Sequence, residues 1–102
     1  MDETVKAPED CATMLEVRAG VDAVDRALMR LIATRFGYMD AAARIKPERS
    51  AVRDEPRKAQ VIANARRSAA AAGVPEDVAA GLWDWLVEAS IAYEFEVFDR
   101  KR

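Results

Sequence analysis

The sequence has no histidine and a single cysteine among its 102 residues. Histidine is the side chain that most often moves protons near neutral pH, so catalysis by that route is excluded. With no cluster of cysteine and histidine, we expect no zinc site. Cys11 has no second cysteine with which to form an internal disulfide, and the acidic start of the chain lacks a secretory apolar segment. A reduced, cytoplasmic setting is therefore expected.

Long apolar runs and glycine-rich motifs are also missing. No apolar stretch approaches the roughly 18 residues that span a membrane, and the sequence contains no glycine-rich phosphate loop or nucleophile elbow. A net charge of −2 argues against a nucleic-acid partner. Hydrophobic residues make up 51% and charged residues 33% of the chain, which favours a folded globular domain over a disordered one.

A heptad pattern runs through the first half of the chain. Two positions of each heptad form the columns Met14, Val21, Leu28, Arg35, Ala42 and Val17, Val24, Leu31, Tyr38, Ile45. This spacing is typical of a long helix with a buried seam. It predicts a first helix from about Thr13 to Lys46, which Pro47 ends because proline disfavours a helical conformation in the residue before it.

Two further helices are indicated by their start and stop signals. After a loop over residues 47–53, Asp54 is placed to cap a second helix that stops at Gly73, and Pro75 opens a third helix that runs to about Asp99. The predicted inner residues are Val61, Ile62, Ala65 and Ala69 in the second helix, and Val78, Leu82, Trp85, Leu86, Ala89, Tyr93 and Val97 in the third. Because no strand alternation is present, we predict an all-α, three-helix chain.

The predicted first helix is too long for a lone domain of this size. Its thirty-four residues would extend roughly 50 Å, whereas a compact chain of about 100 residues has a radius of gyration of about 13 Å. Much of the seam would remain in water unless two chains paired along their long helices. We therefore predict a homodimer in which residues 1–102 form a single helical domain, with about residues 1–12 as an N-terminal extension.

One seam position is an arginine, and a buried arginine requires an anion. Lys46 follows Arg35 by three helical turns, about 16 Å away, and Arg57 opens the second helix three residues after its cap. Arg18 lies about 42 Å from Lys46 along one helix, so it could reach the same site only from the other chain of an antiparallel dimer. Together these four cations predict a site for a ligand with two negative charges.

Each of these cations also has an ordinary structural interpretation. Arg35 could extend its charge to solvent or form a structural ion pair, and Lys46 could be a charge at a helix C-terminus. Arg18 could pair with Asp22 one turn later. Arg57 could simply follow its cap.

Two polar residues border the apolar stripe of the third helix. Ser90 and Glu94 are one turn apart and should lie at the margin of the buried face. A serine there usually packs and bonds back to its own helix, and a glutamate there is usually solvated or paired with an arginine. The functional alternative is that both face the same pocket as Arg35 and Lys46.

Four segments, VRAGVDAVDRALMRLIATR, ARIK, VRDEPRK and EASIAYE, resemble the all-helical (type II) chorismate mutases over about residues 14–98. The segments KAPEDC and RFGYMDAAARIK resemble most closely the branch that contains the isochorismate pyruvate lyases. The resemblance implies an intertwined helical homodimer with a buried site that uses no cofactor and no metal. It also implies that Arg18 comes from the partner subunit, while Arg35, Lys46 and Arg57 bind the carboxylates and ether oxygen of the substrate.

Three polar residues complete the implied site, and two positions depart from the mutase pattern. The backbone of Asp54 would help to hold the ring hydroxyl, Ser90 would lie near the ring carboxylate, and Glu94 would hydrogen-bond the ether oxygen. Glu94 stands where bacterial mutases and the lyase branch have glutamine, although some fungal mutases have glutamate. Lys58 stands where mutases commonly direct a glutamate at the ring hydroxyl, and this loss favours the lyase interpretation.

The implied ligand is chorismate or isochorismate, a small dicarboxylate that would supply the anion required by Arg35. A mutase would hold chorismate in a compact conformer and stabilise the charge on the breaking ether oxygen, so that a pericyclic Claisen rearrangement gives prephenate. The alternatives are an isochorismate pyruvate lyase, which would give salicylate and pyruvate, and a non-catalytic helical dimerisation module.

Overall fold

The computed structural model describes residues 5–102, and the regular structure in this range is helical. The elements in chain order are a 3-10 turn Pro8–Asp10, helix α1 Met14–Ile45, a 3-10 turn Arg49–Ala51, helix α2 Glu55–Ala72 and helix α3 Glu76–Arg100. The predicted all-α chain with three helices and a long first helix is confirmed. Within the same residues, none of the helices has both the length and the apolar character needed to cross a membrane.

Helix α1 begins at a capping box. The Glu16 amide donates to Thr13 Oγ1 at 3.2 Å, and the Glu16 carboxylate accepts from the amides of Thr13 at 3.1 Å and Ala12 at 2.9 Å. These reciprocal bonds satisfy amides that have no partner within the helix. At the other end, the Lys46 amide donates to Ala42 O at 2.9 Å, and Pro47 follows. Both predicted ends of the helix are therefore confirmed to within one residue.

The contacts within the chain divide it into two units, one ending at Gly37 and the other covering Tyr38–Arg102. In the first unit, a cavity of about 540 Å³ lies between residues 5–11 and the first turns of α1, and three seam valines, Val17, Val21 and Val24, are among its lining residues. The expectation that one chain leaves the seam in water is confirmed, since Val24 is 64% and Leu31 is 68% exposed. Residues 5–12 of the predicted extension precede α1, and residues 1–4 lie outside the described range.

In the second unit, α2 packs against α3. Helix α2 starts where expected because the Asp54 side chain accepts from the Arg57 amide at 3.0 Å. It stops at Gly73, which has a φ of +77° and donates to Ala69 O and Ala70 O. A left-handed conformation of this kind favours glycine because glycine has no Cβ. Of the four predicted inner residues of α2, Ala65 and Ala69 are buried, whereas Val61 and Ile62 are half-buried.

Helix α3 buries a different stripe from the predicted one. Leu86 and Val97 are buried as expected, and Ala89 and Tyr93 are half-buried. Val78, Leu82 and Trp85 are exposed in this chain, Trp85 by 69%, so their predicted burial is wrong here. The buried face of α3 is shifted by one position from the predicted stripe, since Ala79 is buried in place of Val78 and Ser90 in place of Ala89. Helix α2 packs on α3, and small residues such as these permit close approach of two helices. The buried residues of α3 are Ala79, Ala80, Leu86, Val87, Ser90, Glu94, Val97 and Phe98.

A small core joins the C-terminal end of α1 to α3. Ala43 is completely buried and forms a cluster with Val52, Val97 and Phe98. Val52 follows the second 3-10 turn, so this cluster fixes both ends of the 47–53 loop to the same part of α3. Val52 is the buried residue of this loop, whose other residues are exposed.

Candidate active site

The centre of the candidate site is an ion pair between Lys46 and Glu94. Lys46 Nζ lies 2.7 Å from Glu94 Oε2 and also donates to Val52 O at 3.4 Å. The Glu94 side chain is buried, and the residue is only 4% exposed. A carboxylate in such a place needs a charged or hydrogen-bonding partner, and the ammonium group supplies one. The pair joins residues that are 48 positions apart in sequence.

The C-terminal end of α1 is fixed on both sides of Lys46. One turn earlier, Ala43 packs into the core cluster, and Tyr93 OH donates to Asp40 Oδ1 at 2.7 Å. That hydrogen bond raises the pKa of Tyr93 above its ordinary value, because ionisation would remove the donated proton beside a carboxylate. On the other side, Arg102 donates to the carbonyl oxygen of Lys46 at 2.9 Å. The ammonium group is thus held at Glu94 by contacts along the helix end.

Ser90 lies one turn before Glu94 on the same buried face of α3. Its hydroxyl donates to Leu86 O at 2.7 Å, so the ordinary interpretation of a serine bonded back to its own helix is confirmed for this bond. A hydrogen bond from the Ser90 hydroxyl to a ligand carboxylate would require this hydrogen to turn away from Leu86 O. The Ser90 side chain therefore lies near Glu94, but its hydroxyl hydrogen is bonded to Leu86 O.

Asp54 and Arg57 lie together at the start of α2. Asp54 Oδ1 accepts from the Arg57 amide, and Arg57 Nη1 donates to Gln60 Oε1 at 2.7 Å. Both residues are exposed in the single chain. The prediction that Asp54 caps the helix is confirmed, and the guanidinium group of Arg57 lies on an accessible surface at a helix N-terminus, where the backbone dipole favours anions.

The two candidate arginines of α1, Arg18 and Arg35, belong to the first unit. Arg18 is exposed, and within residues 5–102 no ion pair joins it to Asp22. Arg35 is half-buried. The second unit therefore brings Lys46 to Glu94, places Ser90 on the same face and pairs Asp54 with the Arg57 amide, whereas a role for Arg18 and Arg35 at this site stays a prediction.

An ionic cluster around Glu88 was not found from the sequence. Glu88 accepts from Arg53 at 2.8 and 3.2 Å and from Lys58 at 2.7 Å. Hydrogen bonds from Arg53, and then from Lys58, lower the pKa of Glu88 to about 2. The sequence feature that could have indicated this cluster is its charge pattern. Residues 44–58 are rich in lysine and arginine, and Asp84 and Glu88 form an acidic pair one turn apart on α3.

Metal-binding side chains do not converge in the described part of the chain. Among residues 5–102, no three aspartate, glutamate, cysteine or histidine side chains are grouped so that they could hold a metal ion. What the site offers is a positioned ammonium group, a buried carboxylate, a serine hydroxyl and an arginine at a helix N-terminus. These groups can orient an anionic ligand and stabilise an oxygen that gains negative charge.

Two comparisons with known proteins extend over this site. A sequence model of the family described as Chorismate mutase type II matches residues 17–95, a range that includes every candidate residue named above. The isochorismate pyruvate lyase of Pseudomonas aeruginosa is 26% identical over 98 residues. That alignment covers 96% of this chain and 97% of the relative, so the similarity is not confined to a motif.

Proposed function

The chain belongs to the chorismate mutase type II family, and we propose that it is an enzyme that rearranges chorismate to prephenate. The observation that carries this proposal is the Lys46 ammonium held 2.7 Å from the buried carboxylate of Glu94. In this reaction the bond from the ether oxygen to the ring breaks while a carbon–carbon bond forms from the pyruvyl methylene to the ring. No atom enters or leaves, so the protein needs to supply only orientation and charge.

Lys46 is the group that stabilises the breaking ether oxygen in this proposal. An ammonium group has three N–H donors. Two of them are directed at Glu94 and Val52 O, which leaves a third for the ether oxygen. Because the oxygen gains negative charge in the transition state, this bond strengthens as the reaction proceeds and lowers the barrier.

The two carboxylates of the substrate require further cations, which a homodimer would provide. We assign them to Arg35 and Arg57 of one chain and to Arg18 of the partner subunit, with Asp54 and Ser90 as polar neighbours. The long, exposed apolar seam of α1 supports the dimer, because a seam of this kind is stable in water only when a second surface covers it. The intertwined arrangement would place the arginine of one chain beside the lysine of the other.

A second candidate, isochorismate pyruvate lyase activity, is favoured by two observations. The similarity to a protein of that name extends over nearly the full length of both chains. In addition, Lys58 is bound to Glu88 and Asp84, so position 58 offers a cation where mutases commonly have a glutamate toward the ring hydroxyl. In the lyase reaction the ether bond breaks and a ring hydrogen moves to the pyruvyl methylene, which gives salicylate and pyruvate. The protein would hold this substrate in the same way and would stabilise the ether oxygen with the same ammonium group.

Product analysis with each substrate tests the proposal. The purified protein is incubated with chorismate and with isochorismate in separate reactions, and prephenate, salicylate and pyruvate are identified by chromatography, with Lys46→Ala as the control for contaminating enzymes. Prephenate from chorismate supports the mutase, and salicylate with pyruvate from isochorismate supports the lyase. No product from either, together with no thermal stabilisation by prephenate or salicylate, would leave the non-catalytic helical module as the better interpretation.

A further inference from the structure

The first turn of α2 is bracketed by two cations that bind one carboxylate on α3. Glu88 Oε1 lies 2.8 Å from Arg53 Nη2, and Glu88 Oε2 lies 3.2 Å from Arg53 Nη1 and 2.7 Å from Lys58 Nζ. Arg53 directly precedes the Asp54 cap, and Lys58 directly follows Arg57. The segment held between the two cations is therefore the one that carries two of the proposed substrate-binding residues.

The other members of the cluster reinforce this arrangement. Lys58 Nζ also lies 3.1 Å from Asp84, and Arg53 lies 2.8 Å from Glu55. Isolated surface ion pairs have little effect on stability, but a bidentate arginine–carboxylate pair within a network restricts geometry much more strongly. Lys58 is also largely buried along its stem, with a side chain that is 21% exposed. The cluster therefore holds α2 to α3 in a definite orientation.

The Glu88 cluster binds the first turn of α2, where the apolar core has few contacts. Val52 is buried and anchors the backbone just before the cap. The next buried residue along the chain is Ala65, so core packing holds the first turn of α2 only weakly. The bonds from Glu88 to Arg53 and Lys58 reach that turn from both of its ends, and Glu88 lies two residues before Ser90 and six before Glu94 on the same helix.

We propose that Glu88 is a positioning residue for substrate binding, which fixes the first turn of α2 so that Asp54 and Arg57 keep one orientation relative to Ser90 and Glu94. This inference rests on the proposed function, since it concerns the same site. Glu88 does not contact the reacting atoms in this scheme. Its effect passes through Arg57, which binds a substrate carboxylate equally in the ground state and in the transition state, so KM should respond more than kcat.

The test compares Glu88→Gln with a matched control, Asp77→Asn. Asp77 forms a 2.9 Å ion pair with Arg66, which also joins α2 to α3 but lies away from the cap of α2. We expect Glu88→Gln to raise KM by about tenfold with kcat changed by less than about threefold, and Asp77→Asn to change neither. Glu88→Asp, which keeps the charge, should restore KM in part, and Arg53→Gln should reproduce the effect from the other side if Glu88→Gln folds poorly.

A second measurement separates this proposal from the proposed function. Hydrogen exchange in the ligand-free protein reports the Arg57 and Lys58 amides, which are bonded to the Asp54 side chain and carbonyl at 3.0 and 2.9 Å. Exchange there should become faster in Glu88→Gln and not in Asp77→Asn, whether or not the chain turns over chorismate or isochorismate. Unchanged exchange would overturn the proposal. Faster exchange with an unchanged KM in an active enzyme would reduce Glu88 to a structural role and would overturn it too.

Discussion

Glu94 is the residue at which the charge of the site conflicts with the proposed chemistry. It accepts a hydrogen bond from Lys46, as an ionised carboxylate does. An ether oxygen that is becoming negative needs a donor, and glutamate donates only when it is protonated. An ionised Glu94 beside that oxygen would raise the barrier, because it would place a negative charge next to an oxygen that is becoming negative.

The first prediction follows from this conflict. Glu94→Gln should increase kcat/KM at pH 7 by about tenfold, because the amide donates a hydrogen bond at any ordinary pH. Measuring kcat/KM at pH 7 for both proteins checks this. The absence of a gain would show that Glu94 does not contact the reacting oxygen.

The second prediction separates the two roles of Lys46. Lys46→Ala should lower kcat by about 100-fold or more and should also destabilise the protein by roughly 1–3 kcal/mol, because it leaves the buried carboxylate of Glu94 without its partner. In the double variant Lys46→Ala/Glu94→Gln, stability should largely return while activity should not. Urea unfolding and steady-state kinetics on Lys46→Ala, Glu94→Gln and the double variant provide the comparison. If stability and activity returned together, Lys46 would be structural.

At the level of single residues, the sequence predicted what depends on neighbours in the chain. The Asp54 cap and the Gly73 stop are confirmed because each depends on hydrogen bonds within one turn. The contact between Lys46 and Glu94 required the end of α1 to dock on α3, and the sequence indicated only that both could face one pocket. The bonds of Glu88 to Arg53 and Lys58 depend on the rotation of α2 about its axis, which the sequence pattern does not determine.

At the level of whole helices, the periodic pattern gave the number of helices and most of their ends. It failed on α3, where Val78, Leu82 and Trp85 are exposed in this chain. A helix with two adjacent apolar faces satisfies the same periodicity whichever face is covered. The choice was made by packing, since the alanines of α2 and α3 permit a closer approach than leucine or tryptophan would. The exposed face of α3, like the seam of α1, remains apolar and accessible in the single chain.

The start of α1 provides a prediction on acid stability. The Lys6 ammonium, followed by the Ala12 amide, lowers the pKa of Glu16 from an ordinary 4.5 to about 2. A carboxylate whose pKa is lowered by folding stabilises the folded state above its unfolded pKa, and that contribution is lost as the pH falls toward the folded value. Glu16→Gln can still accept the capping bonds but has no charge to titrate. Between pH 4.5 and 2, its urea midpoint should therefore fall less steeply than that of the unmodified protein, and equal slopes would contradict the assignment.

At the level of the whole molecule, the seam and the cations lead to the same arrangement by different arguments. The seam is exposed in one chain, and its heptad spacing supports the proposal that a second copy covers it. Arg18 and Lys46 are 28 positions apart in sequence, and the dimer proposal assigns them to different subunits of one site. A single chain therefore fixes the helices but leaves the dimer and the full site as proposals.

The last prediction tests that shared site directly. Arg18→Ala and Lys46→Ala proteins should each be nearly inactive, because each homodimer lacks one required cation in both sites. After subunit exchange, a heterodimer contains one site with neither substitution and one site with both. Since about half of the dimers in an equal mixture are heterodimers, about a quarter of the activity of the unmodified protein should return. A mixture of Lys46→Ala with Arg57→Ala is the matched control, because both residues are assigned to the same subunit of each site and no intact site can form. Verified heterodimers of Arg18→Ala and Lys46→Ala without recovered activity would show that Arg18 does not act across the interface.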